Sequence, residues 1–155
     1  MLKTIMKNAV KSFKEEYATI GAEDKRVAYL MKIEKKFKAT YKVDVDVRYV
    51  DAKHKNSMVR KGVRGYYRRS NDRVVVFINK DLKANTITLL HELTHAYQSA
   101  YMTDMYTTST KDLKSGKVSY KDAWHERHAR HTADILALGY IGMPIDNSMD
   151  YAIAA

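Results

Sequence analysis

The sequence predicts one small domain of the α+β class, spanning residues 1–155. Apolar residues recur at helical spacing in residues 1–40 and again in residues 85–141, whereas residues 43–79 contain alternating and β-branched runs that are typical of strands. The chain has one proline and no linker rich in glycine and serine, so no composition shift marks a boundary between two domains. We therefore expect N-terminal helices, a short mixed or antiparallel sheet, and two further helices after the sheet.

The N-terminal part is predicted to contain two amphipathic helices with lysine-rich outer faces. The first covers residues 2–18 and is followed by Gly21, which favours a helix end. Its apolar positions are Leu2, Ile5, Met6, Ala9, Val10, Phe13 and Tyr17. The second helix covers residues 24–38 and directs a similar apolar stripe inward.

The predicted sheet consists of one strand and one hairpin. Residues 43–50 alternate between apolar and polar side chains, as a half-buried strand does, and the polar, basic residues 51–63 are predicted to form a loop. Residues 65–69 and 73–79 are rich in β-forming residues and flank a short polar turn, which predicts a β-hairpin. Residues 74–79 could form either an exposed edge strand that accepts an extended peptide or an ordinary core strand.

The C-terminal half is predicted to contain two helices joined by a long loop. The first covers residues 85–101, and either Asn85 or Thr86 is expected to cap its start. Residues 103–120 are rich in Thr, Ser, Asp and Lys, which favours a loop. The last helix covers residues 120–140 and is ended by a glycine and the single proline.

The most informative motif is His91-Glu92-Leu93-Thr94-His95, which lies inside a predicted helix. Residues four apart on an α-helix lie about 40° apart around its axis and ~6 Å apart along it. The imidazoles of His91 and His95 therefore project from one face and can converge on a tetrahedral metal ion. Glu92 flanks the same face, where its carboxylate can act on a water molecule as a general base. The motif predicts a Zn²⁺ site with Glu92 as its catalytic residue.

A catalytic zinc site needs a third protein ligand. Gln98 and Tyr101 occupy the positions at which an extended form of the motif has glycine and histidine, so the ligand must come from elsewhere. We favour Glu126, because Ala129 and Ala133 lie on its helical stripe and would let its helix approach the first closely. Glu126 could instead belong to a solvated run of charges. Four rival ligands are His125, His128, His131 and Asp134.

Other polar side chains of this region are expected to support the metal and the reaction. Asp134 is predicted to orient a ligand imidazole from behind. Hydrolysis of an amide also needs a hydrogen-bond donor for the oxyanion that develops. The candidates for this donor are His125, His131 and Tyr120, which lie on or near the start of the ligand-bearing helix.

The order of these features resembles that of small zincin metallopeptidases of the gluzincin type. The resemblance covers about residues 73–140: a strand, the helix containing HELTHAYQ, a variable connection, and a helix with Glu-x-x-Ala-x-x-x-Ala. It implies that His91, His95 and Glu126 bind Zn²⁺, that Glu92 is the general base, and that the protein hydrolyses peptide bonds in a protein or peptide substrate.

Two branches of the zincins are candidates. Residues 133–144 resemble the ImmA/IrrE-like branch, although the gap between the motif and Glu126 is longer here. SprT-like zincins also begin with HExxH but take a third histidine downstream, and some act on proteins crosslinked to DNA. This chain lacks their His-Gly pair after the motif, while its basic character is compatible with them.

The chain is strongly basic, with 28 Lys and Arg against 18 Asp and Glu and a formal net charge of +10. Residues 52–73 hold eight Lys or Arg and one acid, with Tyr66 and Tyr67 among them, a combination that suits single-stranded nucleic acid. The same residues also suit an exposed hairpin with inward-facing tyrosines, or an acidic peptide as the ligand. The candidate basic patch consists of Arg64, Arg68, Arg69 and Arg73.

Composition narrows the function classes further. The absence of cysteine excludes a thiolate zinc site, a disulfide framework and a thiol nucleophile. No apolar run approaches the ~20 residues of a membrane span, and no apolar segment follows the basic N-terminus as an export signal requires, so a cytoplasmic location is expected. Three functions remain open: a zinc metallopeptidase, a nucleic-acid-associated zincin, and a zinc-binding module without catalysis.

Overall fold

The protein is an α+β structure in which helices pack on a three-stranded mixed sheet. The computed structural model describes residues 18–51 and 62–150. Residues 2–17 of the first predicted helix and residues 52–61 of the predicted loop lie outside the described residues. Within the described ranges, no helix is long and apolar enough to cross a membrane. The predicted α+β class is confirmed, and so is the mixed sheet.

Helix α1 (Lys25–Tyr41) lies against one face of the sheet. The carboxylate of Asp24 begins it by accepting hydrogen bonds from the two backbone amides that follow Lys25, as a helix N-cap does. Lys42 ends it in the left-handed conformation, with φ of 54°. A hydrogen bond of 2.7 Å from the Tyr49 hydroxyl to Glu34 ties the helix to the sheet. The helix extends three residues beyond its predicted end.

The sheet contains strands β1 (Asp46–Asp51), β2 (Gly65–Arg68) and β3 (Arg73–Ile78), in the order β1-β3-β2. β2 and β3 pair antiparallel, which confirms the predicted hairpin, whereas β1 and β3 pair parallel. The first strand begins at Asp46, three residues later than predicted. The interpretation of residues 74–79 as an exposed edge is wrong, because β3 is the central strand and Val74–Ile78 are buried on both faces. The edge beside the helices is β2.

Helix α2 (Leu82–Tyr101) carries the HExxH motif. It begins three residues earlier than predicted, because the Asp81 carboxylate caps it by accepting a hydrogen bond of 3.1 Å from the amide three residues later. Asn85 and Thr86 therefore do not act as N-caps. The Asn85 amide instead exchanges two hydrogen bonds with the backbone of Asn79, of 3.1 and 2.9 Å, and so fixes the helix to the end of β3.

Helix α3 (Thr103–Lys114) occupies most of the segment that was predicted to be a loop, so that prediction is wrong. The residues of α3 have only modest helix propensity, so this helix is stabilised mainly by its packing against the rest of the domain. Tyr106 is buried, with its ring centroid 6.2 Å from that of His95 and 6.3 Å from that of Tyr67. These long-range contacts hold α3 over the end of α2.

Helix α4 (Trp124–Ile135) begins four residues later than predicted and continues into a π-helical turn, Leu136–Tyr140. Gly139 ends the turn with φ of 104°, a conformation that favours glycine. α4 runs antiparallel to α2, because its end shares a groove with the start of α2 while its first turn meets the motif histidines. Ala129 and Ala133 are fully buried on α4, as the predicted close approach of the two helices requires.

Enlarging the side chain of Ala133 should separate the two helices. Ala133 belongs to the same buried cluster as Leu90 and Leu93 of α2, so we expect Ala133→Leu to lower the free energy of unfolding by about 1–3 kcal/mol. Urea unfolding followed by circular dichroism measures this change. Ala39→Leu, at an exposed position on α1, is the matched control and should stay within ~0.5 kcal/mol of the parent. Equal effects of the two substitutions would contradict the tight interface.

Candidate metal centre

Two histidines of α2 and one glutamate of α4 meet at the interface between these helices. His91 and His95 are one turn apart, with ring centroids separated by 4.8 Å. The His91 Nε2 atom lies 3.1 Å from Oε2 of Glu126, and the His95 Nε2 atom lies 2.8 Å from Oε1. The structure therefore brings together the three side chains that the sequence singled out as metal ligands.

The charges in this cluster depend strongly on one another. Burial alone would lower the pKa of His95, but the hydrogen bond and charge of Glu126 outweigh it and raise that pKa to about 9. Burial would likewise raise the pKa of Glu126, yet its hydrogen bonds with His91 and His95 hold that pKa well below its usual range. Glu126 also lies in the first turn of α4, where the helix dipole favours a negative charge.

The chemistry of these donors fits a metal ion. His91, Glu92 and His95 each offer a ligand atom, and these atoms lie within 4.8 Å of one another. The carboxylate of Glu126 contacts both imidazoles, so a cation can replace the proton that the imidazole and carboxylate share. Two imidazole nitrogens with carboxylate oxygens suit a divalent transition metal ion, Zn²⁺ among them. The group can therefore hold a metal ion.

Glu92 occupies a different position from Glu126. It is buried beside the two histidines, and this burial raises the pKa of its carboxyl group. Gly65 of β2 packs directly against it, since a Cβ atom at Gly65 would lie 2.7 Å from Thr88 Cγ2 and 3.4 Å from Glu92 Cγ. A carboxyl group with a raised pKa at a cleft is suited to accepting and returning a proton.

A cleft of about 450 Å³, called the metal cleft below, opens beside His91 and Glu92. One wall is α2 and the other is the chain that leads into β2. Its lining residues are Gly62, Val63, Arg64, Gly65, Ile87, Thr88, His91, Glu92 and Tyr120. Tyr120 is largely exposed, and desolvation together with the nearby Glu126 carboxylate raises the pKa of its hydroxyl group. Tyr120, a predicted oxyanion donor, thus stands at the cleft.

His125 lies behind Glu126 and is not among the residues that line this cleft. Its Nδ1 atom is 2.6 Å from Ser109 Oγ, and its Nε2 atom is 3.5 Å from Oε1 of Glu126. Burial, together with the positive charge of His95, lowers its pKa to about 4. His125 is therefore a neutral side chain that supports Glu126, and its place does not suit an oxyanion donor.

A chain of hydrogen bonds fixes the orientation of the His95 imidazole. The carbonyl oxygen of Asp146 can only accept, so His128 donates to it from Nε2 (2.8 Å) and accepts at Nδ1 from the Gln98 amide (2.8 Å). The same amide nitrogen donates to the carbonyl oxygen of His125 (3.0 Å). The Gln98 oxygen then accepts from Nδ1 of His95 (2.9 Å). His95 therefore directs Nε2 toward Glu126, as a metal ligand must.

Gln98 and His128 thus have roles that the motif did not reveal. Gln98 was noted only as a departure from the extended motif, although it lies three residues after His95 on the same helical face, a spacing that permits contact. His128 is excluded as a ligand, because both of its ring nitrogens are engaged. Gln98 is fully buried, so its three hydrogen bonds form away from water.

Two other predicted residues do not join the cluster. Asp134 is exposed and lines a separate groove with Leu82 and Leu138, so the prediction that it orients a ligand imidazole is wrong, and Gln98 does so instead. His131 is half-buried on α4, five residues after Glu126 and therefore about 140° around the helix axis. It is not among the residues that line the metal cleft.

The four arginines of the predicted basic patch have different surroundings. Arg64 lines the metal cleft, and Arg68 lies 4.9 Å from the centre of a tyrosine ring of its own strand. Arg69 donates a hydrogen bond of 2.9 Å to a threonine of α3. Arg73 contacts the carboxylate of Asp46 at 2.6 Å, across the β1–β3 pair. Two of the four therefore bind neighbouring elements, and nucleic-acid binding stays a hypothesis.

Similarity to known proteins adds no ligand or reaction to this geometry. No protein-family model matches the chain, and neither a curated protein nor a solved structure is significantly similar to it. Its functional assignment therefore depends on the side chains of the cleft themselves.

Replacing Gln98 should weaken metal binding without unfolding the protein. Gln98→Met keeps the size of the side chain but removes the acceptor for His95 Nδ1, so we expect metal affinity to fall about 10–100-fold. Competition with a chromophoric chelator for Zn²⁺ or Co²⁺ measures this loss. Thr94→Val is the matched control, since Thr94 is equally buried on α2 and bonds only the carbonyl of Leu90. Similar affinities for both variants would show that Gln98 has only a packing role.

Proposed function

We propose that this protein is a zinc-dependent metallopeptidase of the zincin type. His91, His95 and Glu126 would hold the metal, and Glu92 would be the general base. One observation carries the proposal: Nε2 atoms of two motif histidines meet a single carboxylate, while Glu92 faces the adjoining cleft. An HExxH helix beside an edge strand, with a ligand from a later helix, is also the arrangement that the zincin resemblance implies.

The cleft supports catalysis over a purely structural metal site. Structural zinc sites are closed by four protein ligands, whereas catalytic sites keep one position open. His91 and Glu92 both line the cleft, so the cluster is accessible from one side. This opening favours a peptidase over a zinc-binding module without catalysis.

The surrounding residues suit the hydrolysis of an amide. Bound Zn²⁺ would supply Lewis acidity, polarising the peptide carbonyl and acidifying water. Glu92 accepts the proton of the attacking water and returns it to the leaving amine; its buried position, which raises its pKa, makes it a stronger base than an exposed carboxylate. Tyr120 lies at the same cleft and can donate its hydroxyl hydrogen to the developing oxyanion.

The substrate can be aligned by the sheet. β2 pairs with β3 along one side only among the described residues, and its first residue, Gly65, lines the cleft. An extended peptide can add to such an edge through backbone hydrogen bonds. Gly65 keeps the strand close to Glu92, because a side chain there would collide with Thr88 and the Val75 carbonyl. A peptide on this edge therefore passes next to the general base.

Two glutamate substitutions should separate loss of catalysis from loss of the metal. Glu92→Gln should retain the metal but lower kcat/KM on a fluorogenic peptide library about 10²–10⁴-fold, because the general base is lost. Glu126→Ala should lose the metal itself, since a ligand is removed. Metal content by mass spectrometry and kcat/KM are measured on the same preparations. Glu23→Gln, at an exposed position in front of α1, is the control and should change neither quantity.

Two outcomes would contradict the proposal. Full activity of Glu92→Gln would exclude Glu92 as the base. A zinc-loaded parent protein that cleaves nothing in the library would favour the non-catalytic module.

A further inference from the structure

A second groove, of about 530 Å³, lies between the start of α2 and the end of α4. Its walls are Tyr29, Leu82, Lys83, Thr86, Ile87, Asp134, Ala137 and Leu138. Three of these are large apolar side chains in contact with solvent: Leu138 is 77% exposed, Tyr29 47% and Leu82 37%. Single exposed apolar residues are ordinary, but several around one concavity indicate a binding surface.

This groove and the metal cleft have Ile87 as a common wall. Ile87 lines both, and Lys83, Ile87 and His91 follow one another at four-residue spacing along one stripe of α2. Thr86 and Thr88, on either side of Ile87, line the groove and the cleft respectively. A chain that leaves the cleft along this stripe of α2 would therefore pass over Ile87 to reach the groove.

The distance from His91 to the groove matches the reach of a short extended peptide. The groove residues of α2 are centred about six residues before His91, which corresponds to ~9 Å along the helix. An extended chain advances ~3.3 Å per residue, so about three residues span this distance. Ile87, which lines both cavities, is the point at which such a peptide would pass from the cleft to the groove.

We propose that this groove binds a large apolar side chain of the polypeptide substrate, about three residues from the scissile bond. This inference rests on the proposed peptidase function and names its substrate class. The apolar walls exclude a charged side chain from the centre, while Lys83 and Asp134 carry opposite charges that flank it without favouring a substrate of either sign. Folded proteins bury such apolar residues, so the substrates are unfolded or flexible segments that contain Leu, Phe or Met.

The groove can be tested with labelled peptides. The probes are fluorescein-labelled Ala/Ser peptides of ~12 residues, long enough to span cleft and groove, with one Phe moved along the sequence and a Ser-only reference. Binding is measured by fluorescence anisotropy on zinc-loaded Glu92→Gln protein, and cleavage on the parent enzyme. We expect Phe at one position to tighten binding and lower KM by about 10-fold or more.

Substitutions in the groove should abolish this preference. Leu138→Asp and Leu82→Asp place a charge in the groove at exposed positions, so both variants should fold and still bind metal. Both should bind Phe and Ser peptides equally. Met31→Asp is the matched control, because Met31 is 37% exposed on α1 and does not line the groove. It should keep the full preference for Phe.

The possible failures can be told apart. Cleavage without a Phe preference, or a preference that survives both groove substitutions, would overturn the groove while leaving the peptidase intact. A Phe preference in binding without any cleavage by the parent would support the groove and contradict the peptidase. A dimer in sedimentation that Leu138→Asp dissolves, with peptide binding unchanged, would assign the groove to self-association and overturn the proposal.

Discussion

The contact between the motif histidines of α2 and the carboxylate of Glu126 on α4 constrains the rest of the domain. Separations of 2.8 and 3.1 Å leave little freedom in the position of either helix. The helices reach this spacing because Ala129 and Ala133 add almost no bulk between them. Charged groups are costly to bury unless they are paired, so a small separation of the helices would leave a carboxylate in an apolar interior without its partners. Packing and metal chemistry therefore depend on the same interface.

The cluster has a closed side and an open side, and different parts of the chain build each. On the closed side, hydrogen bonds of 2.8–2.9 Å connect His95 through Gln98 and His128 to the Asp146 carbonyl oxygen, and they fix the orientation of the His95 ring. On the open side, Glu92 faces a cleft whose far wall is residues 62–65, which lead into the edge strand β2. Buried, fully hydrogen-bonded groups hold a ligand in one orientation, while a carboxylate at the wall of a cleft can exchange protons with a molecule bound there. This division is what the proposed catalytic metal site would need.

The sequence predicts this site only as far as its parts depend on local periodicity. His91 and His95 share a helical face whatever the tertiary structure is. Glu126 could be predicted as a ligand because small residues follow it at helical spacing. Gln98 was missed because its function depends on a distant histidine and carbonyl group. Asp134 was misplaced because eight residues of helix rotate it ~80° away from Glu126. Helix α3 has weak propensity and forms through the burial of Tyr106, a contact that no local pattern encodes.

The positions of the strands in the sheet likewise depend on contacts between residues distant in sequence. The pattern of residues 74–79 alone fits either an edge strand or a core strand. Pairing with the parallel strand β1 makes β3 the central strand. That pairing leaves β2 as the edge beside α2, and Gly65 brings it within contact of Glu92. Under the proposed function, a peptide bound along this strand would pass Glu92 and reach Ile87, which lines both the cleft and the apolar groove. The order of the sheet thus determines which strand lies beside Glu92 and could align the proposed substrate.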